Sequence, residues 1–430
     1  MAKSGKIKDR TFKKEVTNLL WEKCKPYCVT FVKWTALAVL CGVVIGPIGS
    51  LFALALETVT NLRTAHPWLI WLLPLAGLPV VLAYRKANLP DGSTNAVFIA
   101  LRNGRLMPLV TAPLILCSTV IAHLFGGSAG REGAALQLGG SITGKLGQAM
   151  KLSDIDCRGM TMCGMAAAFA AVFGTPLAAA IFTLEVANVG VMHYAALVPC
   201  VIAALIGFWI AGLFGIPPER FTLPEVPELT PIAMLQTLIL AAAMAVVSIV
   251  VCLVLHSAPH IYQRYIKNPY LRVVAGGVLI AALTALLGTT DYNGAGAAVL
   301  HHAIEGHAVW YACALKLLFT ALTLGAGYKG GEIVPVFFIG ATFGCAVGPL
   351  LGLPAGFAAG LGMVALFCAC TNCPLASIFI AIELFGGQGI PLFALACTAA
   401  YTLSGYFGLY SEQKILYDKL RSEYIDRKLG

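Results

Sequence analysis

Charge is scarce in this sequence. Aspartate, glutamate, lysine and arginine make up 11% of its 430 residues, against about 25% in a soluble domain. Residues 333–382 carry no charged side chain, and neither do residues 186–218. No His-Glu-x-x-His run is present, which removes the commonest signature of a metal hydrolase. The fourteen cysteines are scattered, with neither metal-ligand spacing nor the small size of a secreted disulfide scaffold. The Cys368-Ala-Cys370-Thr-Asn-Cys373 cluster reads as small residues that let membrane helices pack closely. No metal and no cofactor are expected.

What fills the sequence instead is apolar: 59% of residues, with a mean hydropathy of +0.83. A bilayer-spanning helix takes about 20 predominantly apolar residues, so each charge-free run is long enough for more than one pass. The expected fold class is an all-α polytopic membrane protein. Positive charge gathers at the N-terminus, where residues 1–33 hold nine lysines and arginines against three acids. The positive-inside rule puts that end in the cytoplasm, and the mixed-charge tail after residue 410 is expected on the same side. The first apolar run begins only near Val29, too late for a cleaved signal peptide. Residues 1–29 read as a basic amphipathic helix on the membrane surface, and nucleic acid is not expected as a partner.

Against this background two glutamates stand out, Glu132 in Gly130-Arg131-Glu132-Gly133 and Glu332 in Lys329-Gly330-Gly331-Glu332. An ionisable residue inside membrane-compatible sequence marks a functional site by default. The chain also repeats around them. A shift of 200 residues lays Gly130 on Gly330, Glu132 on Glu332, Gly140 on Gly340 and Gly144 on Gly344. Pro176-Leu-Ala leads to Glu185 and Pro374-Leu-Ala to Glu383, nine residues on in both cases; the prolines lie 44 and 42 residues after their glycine-flanked glutamates. Two halves follow, residues 30–215 and 232–409, joined by a proline-rich linker over 216–231 and followed by a C-terminal segment, 410–430. Repeated halves with Gly- and Pro-interrupted apolar segments predict discontinuous helices. Half-helix N-termini exposed in a membrane attract anions, so the substrate class is an anion beside a carboxylate. The alternative for both glutamates is a simple helix N-cap. Glu185 and Glu383, at equivalent places, are expected to share a structural role. His301 and His302 read as solvated loop residues, and His123 and His193 as hydrogen-bonded structural histidines. An enzyme using Glu132 and Glu332 as an acid–base pair would need a nucleophile or metal cluster, and none is evident.

These residues carry a resemblance. Gly130-Arg131-Glu132-Gly133, the Thr175-Pro176-Leu-Ala-Ala-Ala-Ile-Phe helix, Gly330-Gly331-Glu332-Ile333-Val334-Pro335 and Leu409-Tyr410-Ser411 resemble, in order, the motifs of the CLC anion channels and transporters over about residues 30–420. Three departures are similar to the fluoride/proton antiporter branch. Asp91-Gly92-Ser93-Thr94-Asn95 replaces the usual Gly-Ser-Gly-Ile-Pro, the third motif carries Glu332, and Val186 stands where chloride/proton exchangers have a second glutamate.

The resemblance implies the CLC fold of two inverted-topology repeats, a homodimer with one pathway per subunit, and no appended nucleotide-binding pair. It further implies fluoride and protons as substrates in a multi-pass protein of the cell membrane with both termini cytoplasmic. Glu132 would be the gating, proton-exchanging carboxylate. Anion contacts would come from the region of Ser93, Thr94 and Asn95, from Gly130, Arg131 and Gly133, and from Gly331, Glu332, Ile333 and Val334. Tyr410 would close the inner side, and Lys329 would support its loop or reach the interface. Related fluoride exchangers also use phenylalanine ring edges, for which Phe337 and Phe338 lie nearby. Chloride/proton exchange or passive chloride conduction is the alternative within the same fold.

Overall fold

The computed structural model describes residues 2–89, 94–103, 106–421 and 423–428. Helix α1 (Ala2–Ala65) is followed by a 3-10 turn at Pro67–Leu72 and α2 (Leu73–Lys86). The short α3 (Asn95–Asn103) and α4 (Thr111–Leu124) lead to α5 (Glu132–Ala149), α6 (Asp154–Phe173), α7 (Pro176–Glu185) and α8 (Leu197–Leu213). Across an extended link come α9 (Pro231–Tyr265), α10 (Pro269–Leu287), α11 (Ala297–Ile304) and α12 (Ala312–Ala326). The set ends with α13 (Ile333–Val347), α14 (Ala355–Thr371), α15 (Pro374–Phe385) and α16 (Ile390–Leu403). Among the described residues, seven helical stretches are long and apolar enough to cross a membrane, and several others are only 10–17 residues long.

The repeat is visible in how the helices stop and start. α6 ends on Gly174 at φ 80° and α14 on Asn372 at φ 58°, both in the left-handed conformation that closes a helix. Two residues later Pro176 and Pro374 open α7 and α15, where a missing N–H is harmless. Within each half the helix that follows the glycine-flanked glutamate and the next helix are in backbone contact. A Cβ on Gly139 of α5 would lie 2.1 Å from the Gly164 carbonyl oxygen of α6, and one on Gly340 of α13 would lie 2.4 Å from that of Gly362 on α14. Lipid tails are as apolar as leucine, so close packing rather than exclusion of water holds such helices together.

The halves meet in a row of rings. Phe337 of α13 stacks on Phe173 of α6 at 5.5 Å and meets Phe367 of α14 at 5.1 Å; Phe367 in turn meets Phe182 of α7 at 5.8 Å. The halves are also laced at α7 and α15. The Glu383 carboxylate accepts from Leu177 and Ala178 N–H, both at 2.9 Å. Glu185 accepts from Leu375 N–H at 3.2 Å and Ala376 N–H at 2.8 Å. Each glutamate at the end of one Pro-Leu-Ala helix therefore caps the start of the other, satisfying donors that a buried helix start leaves open.

Two features differ from expectation. The basic N-terminal segment is not a separate surface helix, because α1 runs unbroken into the first span. Between residues 2 and 40 the only helix-breaking residues are Gly5 and Pro26, and Pro26 sits inside the helix. The chain is also not wholly α. β1 (Asn188–Val189) pairs in parallel with β2 (Lys414–Tyr417), which pairs antiparallel with β3 (Tyr424–Lys428). Docking against the link after α7 gives the tail backbone hydrogen-bond partners that its own short, mixed sequence does not advertise.

Candidate anion site and gate

The two glycine motifs lie against each other. Gly130 N–H donates to the Gly331 carbonyl at 2.6 Å, and Gly331 N–H to the Gly130 carbonyl at 2.8 Å, an isolated antiparallel bridge. Only glycine permits this approach. A Cβ on Gly331 would lie 2.8 Å from the Gly133 nitrogen, and one on Gly130 would lie 2.9 Å from Glu132 Oε2 and 3.1 Å from the Val334 nitrogen. Immediately beyond the bridge the chain turns helical on both sides. Glu132 is the first residue of α5, and Glu332 is the N-cap of α13. Two positive helix ends thus converge on one point, the arrangement that binds anions.

Both glutamates are at this point. Glu132 is fully buried. Its Oε2 accepts from Arg131 N–H at 3.1 Å, while Oε1 has no hydrogen-bond partner and lies 3.7 Å from Arg131 Nε. The Arg131 guanidinium is steered by Glu219, at 3.0 Å. Glu332 occupies the N-cap position yet makes no capping hydrogen bond, and its Oε2 is buried. Thr94 Oγ1 is likewise buried and within reach of the Glu332 carboxyl. These atoms close in on Gly133: a Cβ there would be 2.7 Å from Thr94 Oγ1, 3.2 Å from Gly331 Cα and 3.6 Å from Glu332 Oε2. Tyr410, buried with a free hydroxyl and its ring 4.8 Å from Phe98 of α3, lies within electrostatic reach of both carboxyls.

On one side of Arg131 opens a cavity of about 300 Å³, whose wall includes Glu219, His123, His301, Val334 and Phe337. Glu57 and Asn61, near the far end of α1, also line it.

Other expected site residues are placed differently. Asn95 faces the tail, donating from Nδ2 to Ser411 Oγ at 3.1 Å and accepting from Glu412 N–H. Lys329 lies with Nζ 4.9 Å from the centre of the Tyr84 ring. Ser93 falls outside the described residues. Ile333 is fully buried, whereas Val334 reaches the cavity wall. Phe337 lines the cavity; Phe338, one residue on, faces Lys316 at 5.2 Å and Tyr292 instead. His301 and His302 belong to helix α11, not to a loop, and His301 packs on Phe221 at 4.8 Å. A continuous Ala-Ala-Val-Leu-His-His run is a helical pattern that the preceding glycines obscured. His123 donates through Nδ1–H to the Thr119 carbonyl, 2.9 Å away.

Three side chains were not singled out in the sequence. Glu219 comes from the interhelical link, and no local pattern pairs it with Arg131. Gln413 is fully buried and donates to the Val186 and Thr371 carbonyls at 2.9 and 2.8 Å, tying the tail behind Tyr410 to the end of α7. Lys316 of α12 is fully buried and donates to the Tyr292 and Gly294 carbonyls. A lone lysine inside an apolar helix was the available signal.

Residues 76–405 match the family model described as voltage gated chloride channel. A chloride/fluoride channel protein of Pseudomonas syringae pv. tomato is 38% identical over 395 residues, 90% of this chain and 87% of the relative. Among solved structures, a CLC-type fluoride/proton antiporter superposes with a TM-score of 0.86 at 32% identity, covering 89% of this chain and 98% of that one. A slow cyanobacterial Cl−/H+ antiporter superposes with a TM-score of 0.72 at 20% identity, over 86% of this chain and 94% of that one, a likeness of fold. With two repeats joined at paired glycine motifs and a family match across most of its length, this chain is a multi-pass integral membrane protein of the voltage gated chloride channel (CLC) family.

Proposed function

We propose that this protein exchanges fluoride for protons and that Glu132 is the group that carries the exchange. The observation behind it is a fully buried carboxylate at the junction of two helix N-termini, with one oxygen unpartnered. Such a carboxylate is itself an anion in an anion site. Two unit charges 4 Å apart repel by about 4 kcal/mol at an effective dielectric of 20, roughly a thousandfold in occupancy. Ionised Glu132 and a bound anion therefore exclude each other. Protonation removes the charge and releases the side chain toward the cavity beside Arg131, and the anion takes its place. Return of Glu132 requires loss of its proton and departure of the anion, which couples the two movements.

Fluoride as the anion is supported by the name of the Pseudomonas syringae relative and by the solved antiporter that this chain resembles. It is also supported by Glu332 and by Thr94, whose hydroxyl is one of the close donors a strongly hydrated small ion needs to replace its water. Tyr410 closes the pathway on the opposite side from the Arg131 cavity. The basic N-terminus orients the chain with α1 starting in the cytoplasm, so that an inward proton gradient drives fluoride out of the cell. Fluoride resistance is the corresponding physiological role, and two copies form a homodimer with independent pathways.

The test is reconstitution in liposomes with a fluoride gradient at clamped voltage, chloride as the comparison anion and Glu132→Gln in parallel. Uphill proton movement driven by fluoride, weak with chloride and abolished in Glu132→Gln, is the expected result. Fluoride flux with no proton movement would refute exchange and leave a channel; equal coupling to chloride would refute the assigned substrate.

A further inference from the structure

A second cavity, about 480 Å³ and lined by none of the residues of the cavity beside Arg131, lies where the ends of α2, α9, α10 and α12 come together. Its wall contains Arg85, Lys267, Arg272 and Lys329 with Gln263 and Tyr84, and no carboxylate among the described residues lining it. The like charges of Arg85, Lys267 and Arg272 around one space repel one another unless an anion joins them. Helix dipoles do not account for the grouping. Arg85 sits favourably in the last turn of α2, but Arg272 stands near the start of α10, the end that disfavours a cation. Arg272 Nε is moreover buried without a hydrogen-bond partner. The α10 N-terminus and these side chains thus direct one positive field into the cavity.

Its depth points to the kind of anion. α1 and α2 are joined by a short turn, so the end of α2 returns toward the face where α1 begins. The cations lie at or just beyond helix ends, with Tyr265 exposed beside them and Tyr270 under Arg85 at 5.5 Å. Aromatic and basic residues at helix ends mark the headgroup zone of a bilayer, and basic pockets between helices at this level recognise anionic headgroups. Directly adjoining is an apolar groove of about 330 Å³ between α9 and α12, walled by Leu253, Ile261 and Leu322 among others. Its α9 side runs from Leu253 to Tyr262, about 13 Å of helix at 1.5 Å per residue, close to the roughly 15 Å hydrocarbon depth of one leaflet. Tyr262 on the groove wall is followed in the chain by Gln263 on the cavity wall, and the Tyr262 hydroxyl is buried without a partner among the described residues.

We propose that this paired basic cavity and apolar groove bind one anionic phospholipid, its phosphate among Arg85, Lys267 and Arg272 and an acyl chain between α9 and α12. The groove favours a lipid over a soluble phosphate, and the absence of a carboxylate among the described lining residues favours an anionic headgroup over a choline. Lys329 directly precedes Gly330, so the headgroup and the anion site share a loop. The inference is independent of which ion is transported.

The full chain, purified and delipidated, is titrated with phosphatidylglycerol or phosphatidylcholine and read by native mass spectrometry. Retention of phosphatidylglycerol but not phosphatidylcholine is expected, undisturbed by excess glycerol 3-phosphate. The triple variant Arg85→Gln, Lys267→Gln, Arg272→Gln weakens retention about a hundredfold, from the contribution of each basic side chain near an anionic headgroup. The double variant Arg85→Lys, Arg272→Lys, which keeps the charge, retains the lipid and controls for folding. Equal uptake of the two lipids, or undiminished retention in the triple variant, overturns the site. Displacement by glycerol 3-phosphate overturns the lipid and assigns the cavity to a soluble phosphate.

Discussion

Gly133→Ala is the smallest change that enters the proposed anion site. The added methyl would sit 2.7 Å from Thr94 Oγ1, 3.2 Å from Gly331 Cα and 3.6 Å from Glu332 Oε2. Gly331 cannot retreat, because both its N–H and its carbonyl are pinned to Gly130. Thr94 has two ways to respond. It can stay and be compressed, or turn about a stiff β-branched χ1 and carry its hydroxyl out of the site. Overpacking of this kind costs about 1–3 kcal/mol, so anion affinity should fall roughly 5- to 150-fold. Gly212→Ala on α8 is the matched control, since a methyl there meets nothing within 4 Å. Isothermal titration of fluoride onto each purified variant, with a thermal melt to confirm folding, reads the difference. Adding Thr94→Ala to Gly133→Ala should recover the melting temperature without recovering affinity. Wild-type affinity in a folded Gly133→Ala protein would refute the placement of the anion beside Gly133, Thr94 and Glu332.

Other expectations follow from the same geometry. Glu383→Gln and Glu185→Gln each replace one of two carboxylate-to-N–H bonds by an amide donor facing a donor. Each should lower stability by about 2–3 kcal/mol and by similar amounts, measured as thermal inactivation in detergent; a large effect from only one would break the reciprocal capping. Glu219→Gln loosens a half-exposed ion pair to Arg131, so stability should drop by less than about 1 kcal/mol, while proton coupling in liposomes persists. Burial pushes the Lys419 ammonium of the tail down to about 8. The folded tail then binds that proton less tightly than the unfolded chain, and docking strengthens as pH rises from about 8 toward 10.5, with little change below 8. Limited proteolysis of the tail should slow between pH 8 and 10, and Lys419→Met should abolish the trend.

Much of this molecule was legible in its residues because a bilayer leaves few choices. Where water is absent, backbone groups must be satisfied internally, so charge-free runs become helices. A glutamate flanked by glycines in such a sequence stands out as a site candidate. The repeat and the broken helices were readable in the residues, and the structure brings Glu132 and Glu332 to one point. The pairing of Glu185 with the start of α15 and of Glu383 with the start of α7 did not. Each glutamate sits in its own half like any end-of-helix acid, and the exchange exists only once the halves pack face to face. The same holds for Glu219 reaching Arg131 from the link, for Gln413 bracing the tail under Val186, and for Asn95 turning to Ser411 rather than to the anion site. Local sequence sets which groups need partners. Which partner each one finds is decided by contacts between residues 88 to 316 positions apart, a distance over which chain connectivity imposes no geometry and only the packed structure does.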